Sequence, residues 1–212
     1  MLYQDIQIEH WGLINHSHAY ERQRAIVMQV LTGAPGRLIF CEHPAVITLG
    51  RMTKPESLIY AREEIIANGI SIHPVDRGGD VTMHTPGQLV VYVILDLSKR
   101  GKDLKVYMQQ LEQVAVDLLS NFGILAISIE GKRGVFVGHK KIISIGVGVR
   151  KWVTFHGLGI NVHNDLGLYR FIKPCGLDVQ MTSIQQISKT PVTMQDVSGY
   201  FVKEFKRIFE EL

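Results

Sequence analysis

The run Leu89–Leu95 (LVVYVIL) limits the architecture of this chain more than any other stretch. Its seven residues show no polar alternation, so neither side of an extended segment here can face water. β-branched and aromatic residues favour strands. The run therefore reads as a strand buried on both faces, inside a sheet covered on each side. It is the longest apolar run in the chain and far too short to span a bilayer, which takes roughly 20 residues of helix. With 46% hydrophobic and 20% charged residues, the remaining sequence can supply the covering layers, and disorder is excluded.

Three amphipathic helices are expected. The first covers Ser17 to Thr32, with Tyr20, Val27, Val30 and Leu31 on one face and Gly33 as its stop. The second follows Asp103 as its cap, carries Leu104, Tyr107, Met108, Leu111, Val114, Ala115, Leu118 and Phe122 at helical spacing, and closes at Gly123. The third follows a capping box of Thr193 and Asp196 and buries Val197, Phe201, Phe205, Ile208 and Leu212. Arg37–Cys41 and Val46–Leu49 read as a strand pair. Short strands are expected over Ile124–Glu130, Gly134–Val137, Lys140–Val149 and Val153–Val162. Strands and helices interleave without a regular βαβ rhythm. The fold class is therefore α/β with an α+β character: one domain over residues 1–212, with a mixed, mostly antiparallel sheet flanked by helices.

A net charge of +3 is too small to argue for nucleic acid and is compatible with an acidic protein partner or an ordinary solvated surface. Two cysteines in 212 residues make no disulfide framework and indicate a reducing compartment. The N-terminus has no basic segment followed by an apolar run, so a cytoplasmic protein is expected.

Cys41, inside LIFCEH, reads as a small core hydrophobe. Cys175 sits in IKPCG, between a residue that fixes its backbone and one that frees it. Such a turn either presents a nucleophile beside free amide donors or is simply filled by a thiol. A nucleophilic thiolate needs a cationic neighbour. Lys140 and Lys141, ahead of IISIGVGV, are candidates, or else a solvated strand edge. His10, His16 and His18 match no metal spacing and read as surface histidines, whereas His84 and His156 adjoin glycine-bearing segments. Gly146 and Gly148 on one strand, with Gly157 and Gly159 on the next, mark either a slot for an alkyl chain or a set of bulges. The segment Arg77–Val90 is dense in turn residues and holds neither standard mononucleotide loop. It reads as a binding loop of exposed amides with Arg77 and His84 as its polar side chains.

Five ordered blocks carry a resemblance covering Glu42 to Ser183: EHPAVITLGR (Glu42–Arg51), RGGDVTMHTPGQLVVYVILDL (from Arg77), GVFVGHKKIISIG (Gly134–Gly146), FHGLGINV (Phe155–Val162) and IKPCG (Ile172–Gly176). Together they resemble the lipoyl(octanoyl) transferases. The resemblance implies the biotin/lipoate protein ligase fold and transfer of an octanoyl group from octanoyl-acyl carrier protein. The implied acceptors are lysines of the lipoyl domains of 2-oxoacid dehydrogenases and of the glycine cleavage H protein. It implies no cofactor and no metal. Carried over residue by residue, it makes Cys175 the nucleophile and Lys141, not Lys140, its activating partner. It places acyl binding on Arg77, Gly78, Gly79, Asp80, Val81, Thr82, Met83 and His84, on Ser144, Ile145 and Gly146, and on Gly157, Leu158 and Gly159.

A thiolate suits attack on a thioester because the exchange is nearly isoenergetic. Lys141 would then stabilise the thiolate, and Lys141 or His84 would accept the proton of the acceptor amine. Amides near Gly176 or in the Gly78–Gly79 loop are candidate oxyanion donors. The loop departs from the family in having Met83-His84-Thr85 where Tyr-His-Gly is usual, which is expected to reshape the pocket wall. Strand alternation puts Lys141 and Ser144 on opposite faces, so one site uses both only if the strand bulges or the site wraps its edge. Competing readings are an ATP-dependent lipoate or biotin ligase on the same fold, a non-catalytic acyl- or carrier-binding module, and a cysteine hydrolase. An apolar slot disfavours the last of these by excluding water.

Overall fold

The run Leu89–Leu95 forms the body of strand β6 (Gln88–Ile94), third in a seven-stranded sheet. The computed structural model describes residues 6–173 and 179–210. On one side of β6, Leu89, Val91 and Val93 meet helices α3 (Leu104–Ser120) and α5 (Met194–Glu210). On the other, Val90, Tyr92 and Ile94 meet α1 (His16–Leu31). The strand is thus buried on both faces, as its composition requires.

The remaining strands of this sheet are β1 (Gln7–Leu13), β2 (Arg37–Glu42), β7 (Ile127–Ile129), β8 (Lys132–Val137), β9 (Lys140–Arg150) and β10 (Val153–Asn161). Their order is β1-β2-β6-β10-β9-β8-β7, and every pairing except β1–β2 is antiparallel. A second sheet of three strands holds β3 (Val46–Leu49) at its centre. It is parallel to β4 (Ser71–Pro74) and antiparallel to β5 (Val81–His84). The short helix α2 (Arg62–Ala67) and the 3-10 turn Leu166–Phe171 cover this small sheet, with Ile47, Ile65, Val81, Met83 and Phe171 in its core. A mixed, mostly antiparallel sheet flanked by helices is therefore the architecture.

Two expectations are corrected. Arg37–Cys41 and Val46–Leu49 are strands but do not pair. Both edges of β2 are taken by β1 and β6, so His43–Ala45 carries the chain across to the small sheet. The segment after Arg77 is not loop throughout, because Val81–His84 forms β5, with Val81 and Met83 buried beneath it. The N-terminal strand β1 escaped notice because its outward residues give it little apolar signal.

The helix ends follow their chemistry. Asp103 caps α3, accepting from the amides of Lys105 (2.8 Å) and Val106 (3.0 Å). Thr193 and Asp196 form the expected capping box, with Asp196 N donating to Thr193 Oγ1 at 3.1 Å and Thr193 N to Asp196 Oδ2 at 3.2 Å. On α1 the buried stripe is His16, Ala19, Gln23, Ile26, Val27 and Val30, while Tyr20 and Leu31 are only half-buried. Leu104 on α3 is exposed, and Leu212 lies outside the described residues. Leu111 is fully buried between α3 and the sheet. Leu111→Ala is expected to lower the unfolding free energy by roughly 2–5 kcal/mol, measured by urea titration.

Candidate active site

A cavity of about 570 Å³ lies between the small sheet and the face of β6, β10 and β9. Lys141 stands at one end of it. β9 pairs with β8 through Val135–Ile143 and Phe136–Lys141, so Ile142 is an extra residue without a partner of its own. This bulge inverts the pleat. Lys141, Ser144 and Gly146 consequently all line the cavity, where strict alternation would have separated the first two. Ile142 and Ile143, adjacent in sequence, are both fully buried in the core beneath α3 and α5. Lys140 is exposed.

The Lys141 stem passes over Gly134, where φ is 114° and an added Cβ would stand 2.6 Å from Lys141 Cε. Its Nζ lies 5.8 Å from the centre of the Phe136 ring. The Lys141 amide donates to Gln180 O at 2.8 Å, and its carbonyl accepts from Thr182 N at 2.9 Å. Val179 and Met181 line the same end of the cavity, and Lys173 N donates to Ser57 O at 2.9 Å. Cys175 and Gly176, the turn residues between these flanks in sequence, lie outside the described residues.

The cavity wall from Arg77 to Asp80 is held by specific bonds. Arg77 is buried and donates from Nη2 to the carbonyl and hydroxyl of Thr48, both at 2.9 Å. Its stem crosses Gly146, where a Cβ would come within 3.1 Å of Arg77 Cδ. It thereby fastens the small sheet to the large one. Asp80 Oδ1 accepts from Ser57 Oγ and Val81 N, each at 2.7 Å. Gly79 takes a φ of 84°, in the left-handed region that favours glycine, and lines the cavity with Asp80, Val81, Thr82 and His84.

Two of the expected binding residues, and one of the four strand glycines, behave differently. Gly78 does not line the cavity, and its amide donates to Val147 O at 2.8 Å, so that N–H is committed to structure. Met83 points into the core of the small sheet, so the missing aromatic ring leaves the cavity wall unaltered. Gly148 makes room for the ring of Phe155 and takes no part in the slot. Ile145, Gly157, Leu158 and Gly159 do line the cavity, with Gly159 set against the side chains of Gln88 and His84.

The opposite end is polar, which apolar patterning did not foretell. His16 is buried there, not a surface residue, whereas His10 and His18 are exposed. Its signal was present in the helical spacing it shares with Ala19, Gln23, Ile26 and Val30. The His16 ring centre is 5.4 Å from that of His43, 5.6 Å from His73 and 6.4 Å from His84. Burial, then the neighbouring imidazoles and the Arg77 guanidinium, push its pKa down to about 3. Burial likewise lowers His43, His84 and His156. At His156 the Asp76 carboxylate, 3.1 Å away, opposes the shift.

Hydrogen bonds fix the tautomers. His43 Nδ1 donates to Ile14 O at 2.7 Å, leaving Nε2 to accept from the Tyr92 hydroxyl at 2.6 Å. His84 Nδ1 donates to Gln88 Oε1 at 2.6 Å. The Gln88 amide in turn donates to Met83 O, Asn161 Oδ1 and the Tyr169 hydroxyl. Because burial disfavours an imidazolium at His84, that residue is poorly suited to take up a proton. Among the described residues, no group of three His, Cys, Asp or Glu side chains is arranged to hold a metal ion. Cys41 is buried against the sheet, and burial raises its thiol pKa, so it is a core residue as expected.

A mixed sheet buttressed by a smaller one, with a cavity between the two, is the fold of the lipoate protein ligases. The chain belongs to the lipoyl protein ligase A/B catalytic domain family, which matches residues 15–206. It is 40% identical over 202 residues to an octanoyltransferase of Nitratidesulfovibrio vulgaris, covering 94% of this chain and 93% of that one. It is 39% identical over 207 residues to an octanoyltransferase of Syntrophotalea carbinolica, covering 97% and 95%. In fold it is similar to a crystal structure of lipoate-protein ligase A bound with ATP, with a TM-score of 0.82 at 18% identity over 98% of this chain and 86% of that one.

The buried histidines take up protons more readily once unfolded, because their folded pKa values are depressed. Their contribution is intact above pH 6.5 and is lost as pH falls from 6.5 toward 3, by up to about 1.4 kcal/mol per pH unit for His16 alone. Urea unfolding between pH 7.5 and pH 5 is expected to show this slope. His16→Phe should reduce it by about one proton, and an unchanged slope would contradict the assignment.

Proposed function

We propose that this chain is an octanoyltransferase of lipoate synthesis, working across residues 1–212 as one catalytic domain through a thioester on Cys175. The observation that carries the reading is the β9 bulge, which turns Lys141 into the same cavity as Ser144 and Gly146. The identity of about 40% to curated octanoyltransferases over nearly the whole chain gives the acyl group.

In the first half-reaction the Cys175 thiolate attacks the thioester carbonyl of octanoyl-acyl carrier protein. The carrier's sulfur leaves with the electron pair and is protonated, and the acyl group remains on Cys175. In the second, the amine of a lipoyl-domain lysine attacks the acyl-enzyme, the Cys175 sulfur departs, and an amide forms. Lys141, as the ammonium, stabilises the Cys175 thiolate and gives its proton to the departing carrier sulfur; now neutral, it takes the proton released by the attacking amine and, as the ammonium again, stabilises the departing Cys175 thiolate. His84 is left to line the site, since its environment resists a positive charge. Acyl carrier proteins are acidic, which gives the chain's net charge of +3 a use. No helix among the described residues is long and apolar enough to cross a membrane, and a reducing cytoplasm would keep the thiol active.

The test is intact mass after incubation with octanoyl-carrier protein and no ATP. Wild type is expected to gain one octanoyl group on Cys175, Cys175→Ser none, and Lys141→Ala at a rate lower by roughly 10²-fold or more. Transfer that appears only when ATP is added would overturn the reading in favour of a ligase. Gly134→Ala, whose Cβ would meet the Ile143 carbonyl as well as the Lys141 stem in a backbone conformation that favours glycine, is expected to slow acylation about tenfold and also to lower the urea midpoint, each measured separately.

A further inference from the structure

The two ends of the cavity stand a measurable number of strands apart. Ser144 of β9 pairs with Gly159 of β10, and Gly159 with Val90 of β6. One step along, Gly146 pairs with Gly157, and Gly157 with Tyr92. From the Ser144 side to the Val90 side is therefore two strand spacings, about 10 Å. An extended eight-carbon acyl chain has seven C–C bonds of roughly 1.5 Å in zigzag and spans about 9 Å. An acyl group whose carbonyl lies on the Ser144 side of β9, and which crosses β10, thus ends against Val90, Tyr92 and the first turn of α1.

His16 closes that end. It lines the cavity from α1 while Val90 and Tyr92 line it from the sheet. Its ring has little freedom to swing aside. His43, His73 and His84 surround it, and Tyr20 stacks on it at 6.3 Å. His43 and His84 are themselves pinned by their bonds to Ile14 and Gln88.

We infer that His16 is the end stop that sets acyl length at eight carbons, a specificity-determining role acting from the wall opposite Lys141. This rests on the acyl-transfer reading above. A ninth and a tenth carbon on that path would meet the imidazole, which its ring neighbours leave little room to move.

Competition between octanoyl- and dodecanoyl-carrier protein tests the inference, with the acyl-enzyme products read by intact mass. Wild type is expected to favour octanoyl. His16→Ala should raise the dodecanoyl-to-octanoyl ratio by about tenfold or more, because the added methylenes gain a buried site. His16→Leu, which keeps the volume but not the polarity, should leave the ratio near the wild-type value. Val90→Ala deepens the same end from the sheet side and should shift the ratio in the same direction as His16→Ala, so the inference is testable even if one variant fails to fold. Calorimetric binding of free octanoate and dodecanoate to the same proteins gives a readout independent of transfer. Octanoyl transfer by wild type together with an unmoved ratio in both Ala variants would overturn the end stop and leave the transferase reading intact. Wild type that acquires no octanoyl group would overturn the transferase reading, and the calorimetric ratio would then judge the end stop alone.

Discussion

The side-chain amide of Gln88 is the interaction on which the geometry of the site depends. It stands at the first residue of β6, where the small sheet meets the large one. It accepts from His84 and donates toward the Met83 carbonyl, Asn161 and Tyr169. One buried amide thus links β5, β10 and the 3-10 turn Leu166–Phe171. Satisfied on all sides, such a hub strengthens each member through the low local dielectric; with one partner missing, the others would be left with uncompensated polar atoms. Arg77 makes the second tie between the sheets, through Thr48 on one and Gly146 on the other. The cavity is the space these two ties hold open.

The site divides into two electrostatic halves. The Lys141 end offers an ammonium beside an aromatic ring and a run of backbone, a setting suited to stabilising an anion. At the histidine end burial disfavours the charged imidazoles, and the rings of His43, His84 and His156 are held by a carbonyl, an amide and a carboxylate, whereas Nδ1 of the buried His16 has no hydrogen-bond partner. Between these halves Ile145, Leu158 and the glycines of β9 and β10 offer an apolar surface on which a chain of methylenes can lie.

Most of the framework was legible because it follows from patterns with a single physical solution. An uninterrupted apolar strand must be interior, Asp103 before a periodic run must cap, and Thr193 with Asp196 must form a box. The site was legible in the ordered blocks around Arg77, Lys141 and Gly157, but only as a set of positions. Other features depended on tertiary context. Strand pairing of Arg37–Cys41 was misjudged because adjacency in sequence says nothing about which edges are already taken. His16 was misjudged because a histidine at a helix start reads as polar surface until a second sheet is placed over it. The resemblance places Met83 at the pocket wall, whereas the pleat of β5 turns it into the core of the small sheet.

The bulge at Ile142 has one more consequence. Two neighbouring isoleucines are anchored in the same apolar layer, and that double anchor keeps the strand out of phase. A straightened strand would turn Lys141 outward and bring Lys140 in, so the tandem lysines are two alternatives between which the core chooses. Which ammonium reaches the cavity is therefore decided on the far side of the sheet, by hydrocarbon that lines no part of it. The filling of the interior and the placement of the cavity's cation thus rest on the same two residues.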